Sequence, residues 1–230
     1  MLAGRSRWPR PGRRWKAGNN PEPIRYTPEM MRAMTLLAAA FVARAQNPYS
    51  TLPRNYTLEL ENESVRISRV KYFPGDRLAV HSHPSIPTVY VYLTDGGSIR
   101  FIHKTPQFTL ERPAVKAGGV RFNRNAGVET HEVEYLGDTA TEYLRIELKT
   151  VPGLPHRDAR LHNDDDFPWE DPQVRISRFH GQPPKLMRPT VLVNIGDRSF
   201  DWWTPADAHA PSVSRESNWF VMLELKSDRR

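Results

Sequence analysis

"RLAVHSHPSIPTVYVYL", residues 77–93, sets two histidines one residue apart inside a β-branched, apolar run interrupted by two prolines. In a strand, residues two apart share a face. His81 and His83 therefore project together, toward the interior that the apolar alternation defines. Two imidazoles in such a place are costly when charged and need partners when neutral. One divalent cation satisfies both rings at once, and His-x-His on a strand is a chelating geometry. Hydrogen bonds to backbone or water at a strand end would satisfy them equally, so the pair by itself leaves both readings open.

Outward from this stretch the pattern is β almost throughout. "SVRISRVKYF" (64–73), "SIRFIHK" (98–104), "QFTLERP" (107–113), "GVRFN" (119–123), "HEVEYL" (131–136) and "TEYLRIELK" (141–149) are short, rich in Val, Ile and Tyr, and mostly alternating. Pro-Gly-Asp, Asp-Gly-Gly, Ala-Gly-Gly and Leu-Gly-Asp punctuate them as turns. Short strands at such spacing, with no helical stretch between them, predict an antiparallel sandwich or barrel over residues 46–150. The polar, proline-bearing stretch 151–172 reads as a linker or a long surface loop.

A repeat follows. "SVRISR" at 64–69 returns as "QVRISR" at 173–178 (five of six positions), and "RIELK" at 145–149 as "MLELK" at 222–226. Phe122 and Phe200 each stand nine residues before a histidine, His131 and His209. Residues 173–230 therefore read as a duplicated unit. Between the anchors the first copy spans 57 residues, Val65 to Phe122, and the second 26, Val174 to Phe200. The second copy lacks about three strands, including the counterpart of the His81/His83 hairpin. A sheet so shortened must lean on the first domain or on a partner chain, as in a homodimer.

The histidine stretch resembles the first motif of the cupin superfamily, in which Gly, five residues and His-x-His precede a Glu and a Gly. Gly75, His81 and His83 match it. "GVRFNRNAGVETHEVEY" (119–135) resembles the second motif through Gly119, Gly127 and His131. The departures are Thr88 in the Glu slot, Asn125 in the Pro slot and Tyr135 in the final Asn slot, with Gly96 and Gly127 each one position out of step. The resemblance covers residues 55–149. It implies an all-β fold, a cupin jelly-roll β-barrel, here followed by a degenerate second β repeat. It also implies a divalent metal on His81, His83 and His131, with His131 arriving from a strand across the barrel. A cupin site of three histidines without the carboxylate is similar to that of thiol and diketone dioxygenases, which implies iron(II); zinc, manganese, nickel or copper suit the same ligands.

Strand parity supplies the acid/base candidates. Tyr90 and Tyr92 share the parity of slot 88, and Glu129 and Tyr135 that of His131. A phenol or carboxylate beside a metal can move a proton on a substrate oxygen. His103 lies outside both motifs and reads as structural or exposed, and His209 as a relic. His156, His162 and His180 carry no signal. The expected function is a metal-dependent enzyme on a small oxygen-rich metabolite, of dioxygenase or isomerase/lyase type. The alternative is an exported, non-catalytic module that holds a small ligand without need of metal. The tryptophans of "FPWEDP" and "DWWTP" read as aromatics sealing the second lobe on the first.

Charge narrows the partners. The net charge is +7, with nine Lys/Arg against two Asp/Glu in residues 1–45 and 24 of each sign in residues 46–230. The globular part thus has no electrostatic reason to bind nucleic acid. With no cysteine, disulfides and thiolate catalysis are excluded. "MMRAMTLLAAAFVARAQ" (30–46) has the arginine, short apolar core and Ala-Arg-Ala of a secretory signal peptide, so a periplasmic or secreted location is expected, with a cytoplasmic one as the alternative. A short helix packed on the domain is the other reading of that stretch. Residues 1–29, rich in Arg, Pro and Gly, read as disordered or as preceding the true start codon.

Overall fold

The structure is a computed structural model and describes residues 47–124, 128–150, 168–170, 172–182, 184–207 and 219–226. The expected N-terminal extension and signal segment, Asn125, Gly127, His156, His162 and His209 lie outside the described residues.

After a one-turn helix α1 (Pro48–Thr51), capped by the Asn47 side chain, nine strands follow. They are β1 (Tyr56–Glu61), β2 (Val65–Tyr72), β3 (Arg77–His83), β4 (Thr88–Tyr92), β5 (Ile99–Lys104), β6 (Gln107–Arg112), β7 (Val120–Asn123), β8 (Glu129–Tyr135) and β9 (Thr141–Leu148). A central sheet has the order β1-β2-β9-β4-β7, and a second sheet, which carries the histidines, has the order β3-β8-β5-β6. All pairings are antiparallel, and from β2 to β9 the chain crosses from one sheet to the other at every step except the β5–β6 hairpin, which is jelly-roll topology. β1 is a strand that the alternation reading did not reach.

Five further strands build an outer sheet: β10 (Trp169–Glu170), β11 (Val174–Phe179), β12 (Thr190–Asn194), β13 (Ser199–Trp203) and β14 (Phe220–Leu225). Its order, β10-β11-β14-β12-β13, repeats that of the central sheet. The pairings repeat as well. Val65 faces Leu148 and Ile67 faces Ile146 in one sheet, and Val174 faces Leu225 and Ile176 faces Leu223 in the other. Thr88 faces Glu147 as Thr190 faces Glu224. Even the hairpin entry recurs, with the hydroxyls of Thr88 and Thr190 donating to the carbonyls two residues back, at 2.8 and 2.7 Å.

The structure departs from the sequence reading in three details. The hairpin is not wholly lost from the second copy, because β12 stands where β4 does. Val191 faces Trp202 as Val89 faces Phe122, so the counterpart of Phe122 is Trp202, two residues beyond Phe200. Within 151–172, Trp169–Glu170 is a strand rather than linker, and the Trp169 ring meets Phe122 edge-on at 5.0 Å.

The outer sheet leans on the first domain of its own chain. Val89, Val91, Leu144, Ile146 and Leu148 from the central sheet share one continuous core with Val174, Ile176, Val191, Val193, Val221, Leu223 and Leu225. Trp169 and Trp202 pack against its margin. The inner strands β4 and β9 of the central sheet are therefore buried on both faces. The odd-numbered β4 residues, Val89 and Val91, enter this dry core, and the even-numbered Tyr90 and Tyr92 enter the barrel. The barrel interior has a different composition: Tyr56, Tyr72, Tyr90, Tyr92, Tyr135 and Tyr143 join Leu78, Ile99, Phe101 and Val133. Among the described residues no helix is long and apolar enough to cross a membrane.

Candidate metal centre

A β-bulge makes the site. In "RLAVHSH" the apolar residues Leu78 and Val80 have one parity and the two histidines the other. This corrects the expectation that alternation alone turns the histidines inward: a regular strand would bury the former pair and expose the latter. The pairing of β3 with β8 shifts between Leu78, opposite Val133, and His81, opposite His131. One extra residue in β3 turns the rest of the strand over, so Leu78, His81 and His83 are all buried on the inner side.

His131 is in register beside His81 on the neighbouring strand, with ring centroids 4.8 Å apart. This corrects the expectation that His131 comes from across the barrel: the three ligands occupy one patch of a single sheet. The His83 ring lies 5.0 Å from His81 and 5.4 Å from His131. One nitrogen from each of the three lies within 4.8 Å of the others. All three rings are at most 5 % exposed.

The electrostatics fit a cation held by neutral imidazoles. Burial lowers the pKa of His81, and it lowers that of His83 further, with Arg145 adding to the effect. His131 is pushed down to about 2 by burial, then by His81 and His103. The Nδ1 of His81 lies 2.9 Å from the Ala79 carbonyl, to which it can only donate, so Nε2 is left as an acceptor. The Tyr56 hydroxyl stands 3.2 Å from that Nε2. The Nδ1 of His131 is buried without a hydrogen-bond partner. A buried nitrogen with no partner loses free energy that coordination would return. These residues fit a divalent metal.

Thr88, in the slot where cupins place a glutamate, is buried and supplies no ligand, since its hydroxyl is committed to the Ile86 carbonyl. Glu129 pairs with His83 across the strands and accepts a hydrogen bond from Asn123 at 3.1 Å. It lines a small cavity of about 10 Å³ together with His83, His131, Tyr90 and Tyr92. The structure thus brings Tyr90, Tyr92 and Glu129 to the histidines. Tyr135 serves the barrel end instead: its hydroxyl accepts from the Gly97 amide and donates to the Thr139 carbonyl. His103 is neither exposed nor isolated. It is buried in register beside His131, 5.3 Å away, with Phe108 stacked on its other side at 4.1 Å.

Sequence reasoning missed the opposite wall. Arg145 is 4 % exposed, donates to the Tyr90 hydroxyl at 3.0 Å and pairs with Glu147 at 3.1 Å. Burial works against its charge, but Tyr90 and Glu147 outweigh that and raise its pKa. Glu147 is also paired with Arg66 at 3.2 Å. Tyr56, Tyr72 and Tyr143 form a hydroxyl chain ending at His81, with links of 3.2 and 2.9 Å. Burial raises all three, Tyr56 to about 12, so they remain protonated donors. The signal was present in "TEYLRIEL", where Thr141, Tyr143, Arg145 and Glu147 share one parity.

The barrel is a cupin-type jelly roll. No family model matches the chain, and no curated protein does. Solved structures are similar to it. A cupin domain from Bordetella pertussis Tohama I is 22 % identical, over 41 % of this chain and 91 % of its own, with a TM-score of 0.35. A double-stranded β-helix domain protein of Klebsiella pneumoniae is 14 % identical over 41 % of this chain and 77 % of its own, at 0.31. Bacillus subtilis oxalate decarboxylase, which has Mn(II) centres, is 21 % identical over 43 % of this chain and 24 % of its own, at 0.29. The fold assignment rests on the strand order, and the site on its own residues.

Proposed function

We propose that this chain is a metal-dependent enzyme acting on a small oxygen-rich metabolite, of dioxygenase or isomerase/lyase type, with His81, His83 and His131 as the metal ligands and iron(II) as the favoured ion. The observation that carries the reading is the convergence of three neutral, buried imidazoles beside Glu129, Tyr90 and Tyr92, which gives a cation site with acid/base groups at hand. A bound divalent ion would supply Lewis acidity and open coordination positions for substrate or dioxygen. The Glu129 carboxylate, fixed by Asn123, accepts a proton from substrate. Tyr92 offers a phenol, and Tyr90, held by Arg145, orients a substrate oxygen. The tyrosine wall and the 10 Å³ cavity keep bulk water out. Export accompanies this reading, on the signal-like stretch 30–46.

Metal content measured on the full chain, purified without a histidine tag, tests it. Near-stoichiometric metal is expected in the wild-type protein. His81→Ala should weaken binding by more than the ~10–100-fold that loss of a supporting residue costs. Oxygen-uptake and isomerase screens then follow. Absence of metal from the wild-type protein, even after anaerobic reconstitution with iron(II), would leave a non-catalytic ligand holder as the better description.

A further inference from the structure

Within the same cavity, Arg112 has an unusual position. It ends β6, points inward with its guanidinium 4.5 Å above the Phe101 ring and 5.8 Å from that of Tyr90, and lines the cavity beside His131 and Glu129. Among the described residues no carboxylate or carbonyl hydrogen-bonds or ion-pairs with it. The chain does not lack acids for such service: Arg66, Arg69 and Arg100 each hold one or more. A cationic fork kept on two aromatic faces is desolvated and leaves its donors for something else.

Arg145 makes the same point from the central sheet. Its register counterpart in the outer sheet is Met222, opposite Leu192 as Arg145 is opposite Tyr90. The sheet therefore folds with an apolar residue there, and burying a guanidinium is not required by the fold. Two arginines and, when bound, a dication face an interior whose described acids are Glu129 and the already paired Glu147. The excess charge facing this interior is positive.

We propose that the substrate is a small carboxylic acid whose carboxylate is received between the His81/His83/His131 metal site and the Arg112 guanidinium, with the Arg145–Tyr90 pair as the wall behind it. Arg112 is then the residue that selects for a carboxylate. This rests on the metal-site reading above.

Cobalt(II)-loaded full-length protein gives a readout independent of turnover, since ligands entering near the ion shift its visible bands. Acetate should shift them saturably, with the isosteric neutral acetamide and inorganic phosphate at least tenfold weaker. Arg112→Gln should take up cobalt as the wild type does yet bind acetate about 10–100-fold more weakly, the loss of a charge-assisted pair. Arg112→Lys, with charge but no fork, should fall between them. Equal responses to acetate and acetamide, phosphate binding as tight as acetate, or an Arg112→Gln titration matching wild type would overturn the carboxylate inference and leave the metal site standing. Failure of the wild type to take up cobalt would overturn both. Should Arg112→Gln not fold, the wild-type contrast between acetate and acetamide decides by itself.

Discussion

The central and outer sheets have the same strand order and the same pairings, but the faces they turn away from each other carry opposite chemistry. On the faces turned toward each other, Val89–Ile146 and Val91–Leu144 in one sheet match Val191–Leu223 and Val193–Val221 in the other. On the reverse faces Tyr90–Arg145 is matched by Leu192–Met222, and Tyr92–Tyr143 by Asn194–Phe220. Two features persist on both reverse faces: a threonine that closes on its own hairpin, and a glutamate paired with an arginine, Glu147 with Arg66 and Glu224 with Arg175. What is shared answers to the fold. What differs answers to the histidines, which lie opposite only one of the two sheets. Thr88, which replaces the expected glutamate, belongs to the shared set, and Arg145 and the tyrosines belong to the other.

The comparison breaks most easily at the shared face. If the two sheets bury one core, a truncation in either must destabilise the whole. Ile146→Ala and Leu223→Ala, both at fully buried positions, should each cost about 2–5 kcal/mol. Thermal denaturation should show one transition in wild type and in both variants. A separate, early transition in Leu223→Ala with the barrel melting unchanged would show that the sheets are independent folding units.

The next effect separates the reverse faces by pH. Burial holds His81, His83 and His131 neutral in the folded state, His131 down to about 2. In the unfolded chain each protonates near pH 6.5. Below that pH the unfolded state binds more protons, so folding stability falls as pH drops through 6.5 and continues to fall toward the folded-state values. The loss is up to about 1.4 kcal/mol per pH unit for each histidine. Metal-free protein should lose about 1–4 kcal/mol between pH 7.0 and 5.5 by denaturant titration, and a bound metal should be released over the same interval. A flat profile would mean that the imidazoles carry charge inside the fold.

These two faces were not equally legible in the sequence. The strand alternation of "TVYVYL" and the repeated "VRISR" carried the β architecture, because apolar spacing of two follows directly from the pleat. The histidine trio was legible as chemistry but not as geometry. In "RLAVHSH" simple parity places Leu78 and Val80 inside and the histidines outside, and only the bulge between Leu78 and His81 reverses this. A bulge leaves no trace in composition. It shows only in the register of two strands that are some 50 residues apart in sequence, so the pairing of His131 beside His81 could not be read from either strand alone. Arg145 and Arg112 were hidden for another reason. Arginine on a strand usually marks a solvated face, and its burial here follows from Tyr90, Glu147 and the aromatic rings brought to it by other strands.

The smallest stability effect is the sharpest test of the comparison. The outer sheet shows what the central sheet would be without the site, so Arg145→Met combined with Tyr90→Leu copies its pair. Removing one partner from a buried ion pair ordinarily costs about 3–5 kcal/mol, because a charge is left alone. Here Glu147 keeps Arg66, as Glu224 keeps Arg175 beside Met222, so no carboxylate is stranded. The double variant should therefore stay within about 1 kcal/mol of wild type, since replacing a buried polar pair by apolar residues of similar volume is near neutral. Metal content should be kept, because none of the three histidines accepts a hydrogen bond from Arg145. Turnover or cobalt-monitored acetate binding should fall by about tenfold or more. A variant that unfolds would show that the arginine is part of the barrel's own structure, and one that binds as before would remove Arg145 and Tyr90 from the site.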